Sequence, residues 1–149
     1  MNIGFIGLGN MGSGMASNLQ NYCAAQGHQL TVLDLDAAKV KTLTDLGAAA
    51  GTNVSTIAKT SDLLFTSLPS SIEINRLAFG EQGILTNLKH GAIWIETSTN
   101  ELVEWQTVCA NAPSHLTLID GPVTGGAEGA AAGTLTMLLG IEQPQLDAL

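Results

Sequence analysis

Positive charge is scarce in this 149-residue chain: five Lys and Arg stand against thirteen Asp and Glu, a net charge of -8, and no Lys or Arg follows Lys89. Nucleic-acid phosphates and anionic lipid surfaces are held by accumulated cations, so neither partner is expected. Cysteine is limited to Cys23 and Cys109, without a CxxC or Cys/His spacing. That argues against a disulfide framework and a metal site, and for two buried thiols in a reducing compartment. No basic segment precedes the first apolar run, because the first cation is Lys39, and no apolar run approaches the roughly 20 residues that cross a bilayer. These absences point to a cytoplasmic protein without a membrane segment.

Apolar residues are plentiful, at 45% of a length that suits one domain with one buried core. They fall into short β-prone runs: NIGFIG from Asn2, QLTVLD from Gln29, DLLFTSL from Asp62, AIWIET from Ala92, LTLID from Leu116 and TLTMLL from Thr134. Helix-like segments separate them. NMGSGMASNLQNYCAAQ places Met11, Met15, Leu19 and Cys23 at four-residue steps and stops at Gly27. DAAKVKTLTDLG offers Asp36 as N-cap and Gly47 as a stop, and NELVEWQTVCANAP offers Asn100 as N-cap with Pro113 beyond its end. NVSTIAKTS and SSIEINRLAF predict two shorter helices, and Pro144 could open another in EQPQLDAL. Strands alternating with helices build a parallel sheet, so the expected fold is α/β, a Rossmann-type doubly wound and mostly parallel sheet in a single domain.

Glycine concentrates in two places. Gly7, Gly9 and Gly12 form G-x-G-x-x-G between the first strand and the first helix. Such a turn needs a tight bend at the first position, close approach of backbone to a pyrophosphate at the second, and close helix-strand packing at the third. The helix N-terminus then offers free N-H groups and the positive end of its dipole, so no basic residue is required. Asp34 ends the second strand twenty-two residues after Gly12, where a carboxylate can accept hydrogen bonds from the ribose hydroxyls of an adenosine. A carboxylate there repels a 2'-phosphate, which favours NAD over NADP. Lys39 and Lys41 lie close by in sequence and are expected on a solvated helix face.

The second cluster, DGPVTGGAEGAAAGTLTMLLG from Asp120, lies too far downstream to belong to that fingerprint. Thr124, Gly125 and Gly126 could aim successive N-H groups and a hydroxyl at an anion, or form a loop of small residues between two strands. Both readings stand at this level.

With GFIGLGNMGSGMASNL, SLP at 67–69 and IETST at 95–99, that segment resembles the β-hydroxyacid dehydrogenases, which include 3-hydroxyisobutyrate dehydrogenase, and the resemblance spans nearly the whole chain. It implies that Gly7, Leu8, Gly9, Asn10, Met11 and Gly12 hold the pyrophosphate and Asp34 the adenosine ribose. Leu68, Pro69 and Thr99 would line the nicotinamide half. Thr124, Gly125 and Gly126 would hold the carboxylate of a small hydroxyacid, whose hydroxyl-bearing carbon exchanges hydride with the nicotinamide. In the family, acid-base work belongs to a lysine in a second, helical domain, and the full-length proteins are expected to be homo-oligomers.

Three positions depart from the family pattern: Thr124 replaces a serine, Glu96 an aspartate and Gly121 an alanine. With no lysine after Lys89, residues 1–149 are expected to form the dinucleotide-binding domain of a longer protein and, alone, to bind without turnover. A non-catalytic dinucleotide-binding module is the alternative from another class. Imine reductases and 6-phosphogluconate dehydrogenases share the first motif, but the carboxylate nest suits hydroxyacids, and a sugar phosphate calls for more cations.

His28, His90 and His115 each precede a predicted strand beside turn residues, away from the cofactor crevice, and are expected at the surface. Trp94 and Trp105 are expected in packing roles, and Glu101 and Glu104 in the first turn of a helix.

Overall fold

The computed structural model describes residues 1–141. Six parallel strands form its sheet: β1 (Asn2–Ile6), β2 (Gln29–Leu33), β3 (Ala49–Ala50), β4 (Leu63–Thr66), β5 (Ile93–Glu96) and β6 (Thr117–Asp120). Their spatial order is β3-β2-β1-β4-β5-β6, so the chain winds outward from β1 in one direction and then crosses back to β4. The fold is Rossmann-type and doubly wound, with its switch point between β1 and β4.

Side-chain alternation along the strands feeds two cores, one on each face of the sheet. Ile3 and Phe5 of β1, with Leu30 and Val32 of β2, pack under Ala16 and Cys23 of α1 (Gly12–Gln26) and Leu43 of α2 (Ala37–Asp45). Ile6, Leu64 and Trp94 face the other way. They meet α3 (Val54–Thr60), α4 (Ser71–Ala78), α5 (Ile84–Asn87) and α6 (Leu102–Ala110) through Ile57, Ile74, Ile84 and Trp105. Trp94 and Trp105 meet edge to face with centroids 5.5 Å apart, and the Trp94 indole N-H donates to Thr66 Oγ1 at 2.7 Å, the packing role expected of both.

Caps behave largely as their residue types predict. Asp36 accepts from the Ala38 N-H at 2.9 Å, Asn53 and Ser70 cap α3 and α4, and Gly27 ends α1 in the left-handed conformation. Asn100 does not cap α6: Glu101 occupies that position without a side-chain cap bond, because the Asn100 carboxamide oxygen accepts from Ser71 Oγ instead. Glu104 lies in the first turn of α6 and accepts from Asn75 Nδ2.

The buried stripe of α1 keeps the four-residue step expected but starts one residue later, meeting the expectation only at Cys23. Gly12, Ala16, Gln20 and Cys23 are buried, while Met15 and Leu19 pack at the margin. Small residues win the central positions because the helix lies so close to the glycine turn that a Cβ on Gly12 would sit 2.0 Å from Gly7 O.

Beyond β6 the sequence expectation fails most. TLTMLL does not join the sheet. Its two ladder residues form β8 (Thr136–Met137), antiparallel to β7 (Val123–Thr124), and between them runs the unanticipated helix α7 (Gly126–Ala132). Helix α7 rests on α1, where the Asn18 amide donates to Ala130 O at 2.8 Å and to Ala131 O at 3.2 Å, and Gly14 leaves room for its backbone. Asn18→Ala is therefore expected to loosen α7 while sparing the sheet. Faster amide exchange confined to residues 123–137 checks this, and unchanged exchange there refutes it.

The histidines lie at the N-terminal ends of strands, opposite the switch point, and His90 and His115 are exposed and stacked on each other at 4.5 Å. Of the two thiols only Cys23 is buried; Cys109 sits on the outer side of α6 and is exposed, contrary to expectation. Among the described residues no helix is long and apolar enough to cross a membrane, and no three His, Cys, Asp or Glu converge on a metal position. The helix expected at Pro144 lies outside the described residues.

Candidate dinucleotide site

A cleft of about 760 Å³ opens at the C-terminal ends of β1, β2 and β4, where the switch point of a doubly wound sheet binds ligands. Its middle is the glycine turn. Gly7, at φ +96°, lies against the loop after β4, and Gly12 closes the turn onto Gly7. A Cβ on Gly9 would meet no atom within 4 Å, so the wall is open at this one glycine of the three, and a ligand could approach the backbone.

Helix α1 begins here without a side-chain cap, because Met11 at the cap position has no oxygen to offer. The Asn10 and Met11 N-H groups take no partner among the described residues. An uncapped helix start with free N-H groups at the edge of a cleft fits a pyrophosphate in charge, donor geometry and space.

One end of the cleft is Asp34. Its Oδ2 accepts the Leu8 N-H at 2.5 Å and its Oδ1 the Asp36 N-H at 2.8 Å. A carboxylate has about four lone-pair sites, so two remain for ribose hydroxyls. The same side chain thus ties the glycine turn to the end of β2, which accounts for Leu8: its side chain is fully buried and only its backbone serves the site. Lys39 and Arg76, not anticipated here, also border the cleft, with Thr52 and Asn53.

At the other end lie Ser67, Leu68 and Pro69. The Leu68 N-H donates to Ser98 Oγ at 2.7 Å, which joins the loop after β4 to the loop after β5. Thr99 sits in that second loop, exposed and outside the cleft lining, and Thr124, Gly125 and Gly126 are exposed at the start of α7. The structure therefore gathers Gly7, Gly9, Asn10, Met11, Gly12, Asp34, Leu68 and Pro69 around one cavity, keeps the Leu8 side chain buried behind it, and leaves the other four apart from it.

Sequence reading marked Glu96 only as a departure from the family pattern and gave it no role. It is fully buried at the end of β5, where its Oε1 accepts the Ser98 N-H at 2.6 Å and its Oε2 the Thr66 hydroxyl. Burial is the main cause that pushes its carboxyl up to about 7, with the Asp120 charge adding in the same direction and hydrogen bonds from the Ser98 side chain and backbone and from Thr66 opposing it. Burial raises Asp120 as well. An acid inside the apolar run AIWIET was the available signal.

Fold and site together define a dinucleotide-binding domain of the doubly wound α/β class. The family model described as the NAD binding domain of 6-phosphogluconate dehydrogenase matches residues 2–149, and the chain belongs to this family, with β-hydroxyacid dehydrogenases among its relatives. It is 37% identical over 139 residues to a probable mitochondrial 3-hydroxyisobutyrate dehydrogenase of Dictyostelium discoideum, covering 93% of this chain and 42% of that one. Among solved structures, 3-hydroxyisobutyrate dehydrogenase of Mycobacterium tuberculosis with L-serine superposes at a TM-score of 0.85 and 29% identity, over 99% of this chain and 48% of that one. Psf3 in complex with NADP+ and 2-OPP superposes at 0.86 and 26% identity, over 98% and 51%. The chain spans about half the length of the relatives it matches.

Proposed function

We propose that residues 1–149 form the cofactor-binding domain of an NAD-dependent oxidoreductase of small 3-hydroxyacids or their semialdehydes, related to 3-hydroxyisobutyrate dehydrogenase. The observation that carries this reading is the uncapped start of α1 facing the cleft, with Asp34 beyond it. The free N-H groups at Asn10 and Met11 would hold the pyrophosphate, Asp34 the adenosine ribose, and the wall at Leu68 and Pro69 the nicotinamide half, with Thr99 nearby. When bound, nicotinamide supplies hydride exchange with the hydroxyl-bearing carbon of the substrate. Thr124, Gly125 and Gly126 would take the substrate carboxylate, and the hydroxyl proton would pass to the lysine of the helical domain that the family resemblance implies.

A longer, oligomeric cytoplasmic protein suits this reading: Ile72, Leu102 and Val103 expose apolar side chains at the starts of α4 and α6, where more protein could cover them. Calorimetric titration with NAD and NADP tests the binding claim, and a folded sample that takes neither refutes it. Turnover of hydroxyacids by these 149 residues alone would overturn the assignment of proton transfer to another domain.

Asp34 decides the choice of cofactor in this proposal. A carboxylate beside the ribose opposes a 2'-phosphate, whereas Lys39 and Arg76 at the rim would attract one, and Asp34 stands closer to the turn through its bond to Leu8. Asp34→Ala is expected to weaken NAD about tenfold, the value of a charge-assisted hydrogen bond or two, and to bring the NAD and NADP affinities together. An unchanged affinity ratio sinks the assignment. The same variant loses the acceptor for the buried Leu8 N-H, so its unfolding midpoint should fall too.

A further inference from the structure

We infer that Glu96 is a positioning residue for the nicotinamide half of the cleft: through Ser98 and Thr66 it fixes the wall at Leu68 while touching no ligand itself. This rests on the proposal that the cleft takes a dinucleotide. A hydrogen-bonded chain runs outward from the core. The Trp94 indole N-H donates to Thr66 Oγ1, the Thr66 hydroxyl donates to Glu96, the Ser98 N-H donates to Glu96 at 2.6 Å, and the Leu68 N-H donates to Ser98 Oγ at 2.7 Å. Thr97 closes the ring, its N-H and hydroxyl both donating to Thr66 O, at 2.9 and 2.7 Å. The ends of β4 and β5 are thus joined by side chains at the last pair of the strand ladder, Thr66 and Glu96, and just beyond it.

Geometry explains why a carboxyl stands there. Two donors, one at the end of β4 and one in the loop after β5, converge on one buried side chain, and two acceptor oxygens on one planar group can take both at once. An apolar residue would leave the Ser98 N-H and the Thr66 hydroxyl without partners inside the protein, and the Ser98 side chain would lose the backbone bond that orients it toward Leu68. The charged group that faces Glu96 from the neighbouring strand β6 is Asp120, a repulsive partner, so this carboxyl is not retained for an ion pair. Its hydrogen bonds point instead to the loops beside the cleft. The Gly7 turn leans on the same loop, since a Cβ there would come within 2.2 Å of Ser67 O, and the wall is therefore braced from both sides.

The test compares NAD with ADP-ribose, which shares the adenosine and pyrophosphate but lacks nicotinamide. Titration of Glu96→Ala is expected to show NAD affinity down about tenfold and ADP-ribose within about twofold of wild type. Glu96→Gln, whose amide can accept from the Ser98 N-H and donate to Thr66 Oγ1, should recover most of the loss. Ser98→Ala cuts the tether to Leu68 while the backbone N-H of residue 98 and the Thr66 hydroxyl still hold the buried acid, so it reports even if Glu96→Ala does not fold; NAD alone should weaken, by about threefold. Equal losses for both ligands in Ser98→Ala, or NAD binding unchanged in it, overturn the inference. Wild-type protein that binds ADP-ribose and NAD equally well overturns it as well, since the wall then holds no nicotinamide, yet leaves a nucleotide site standing. Binding of neither ligand to the wild type refutes the dinucleotide reading itself and takes the inference with it.

Discussion

Gly12→Ala is expected to cost the protein most of its stability, whereas Gly9→Ala in the same turn should leave it folded and abolish tight dinucleotide binding. The contrast follows from what each added methyl would meet. On Gly12 it would lie 2.0 Å from Gly7 O and 3.0 Å from Gly7 C, both backbone atoms of the strand-turn joint, so relief requires α1 to lift off the sheet. Forcing one methyl into a packed site usually costs about 1–3 kcal/mol, and here the obstacle is backbone rather than a side chain that can swing aside. Gly7→Ala combines a similar clash, 2.2 Å from Ser67 O, with φ +96°, where an L residue is strained by a further 1–2 kcal/mol or so. Against a total stability of about 5–15 kcal/mol, either change should move the urea midpoint far down or leave no cooperative transition. The methyl on Gly9 meets nothing within 4 Å and projects where the cleft is open, so its cost falls on the ligand alone. Urea denaturation paired with NAD titration separates the two effects. A stable Gly12→Ala, or Gly9→Ala with wild-type affinity, would show that the turn is built for some other purpose.

That turn was legible in the sequence because its constraints are local: strand, bend and helix start fall within eleven residues, and Gly7 and Gly12 each answer a clash with a neighbour in the same unit or the adjoining loop, while Gly9 keeps the wall open. The same holds for Asp34, placed by the end of β2, and for the two faces of the sheet, which follow from alternation along β1 and β2. Where the sequence misleads, distant partners decide. GGAEGAAAG carries too much glycine to predict a helix, yet α7 forms because Asn18, more than a hundred residues earlier, caps its last carbonyls and Gly14 lets it approach. TLTMLL has the look of a core strand, but Asp120 already ends the sheet. The run instead turns back after α7 to pair with β7, with Met137, Leu138 and Leu139 partly in solvent. Two alanines suffice for β3, since its Cα register with β2 is set by the turn at Gly47 and the bond from the Gly51 N-H to Val32 O, and not by side-chain pattern. Within the site, Lys39 and Arg76 were hidden for a related reason: whether a helical cation faces water or a cleft depends on how α2 and α4 dock.

Glu96 is the clearest case of chemistry set by partners far along the chain, and it makes stability depend on pH in an unusual direction. Buried carboxyls that are ion-paired have lowered pKa values and lose stability in acid. Here burial dominates and the folded value is about 7, above the ordinary 4.5. Between those values the unfolded chain has released its proton and the folded chain still holds it, so stability falls as pH rises. The contribution is fully present below about 4.5, declines through the interval and is gone above about 7, a loss on the order of 3 kcal/mol at 1.36 kcal/mol per unit. Asp120, raised by burial, acts in the same direction. Asp62 and Glu73 act oppositely: the Asn2 N-H and Lys89 hold the first down and the Ser70 hydroxyl the second, so their support fades in stronger acid. Stability should therefore peak near pH 4.5 to 5 rather than near neutrality. Urea midpoints at pH 5 and pH 8 check this, with wild type more stable at pH 5. In Glu96→Gln the amide reproduces the protonated acid at every pH, donating to Thr66 and accepting from Ser98, so the two midpoints should nearly coincide. At pH 8 the variant should exceed wild type. A Glu96→Gln protein less stable than wild type at pH 8 would mean that the buried carboxylate is stabilised in its ionised form by its two donors, and that the hydrogen bonds outweigh the loss of water.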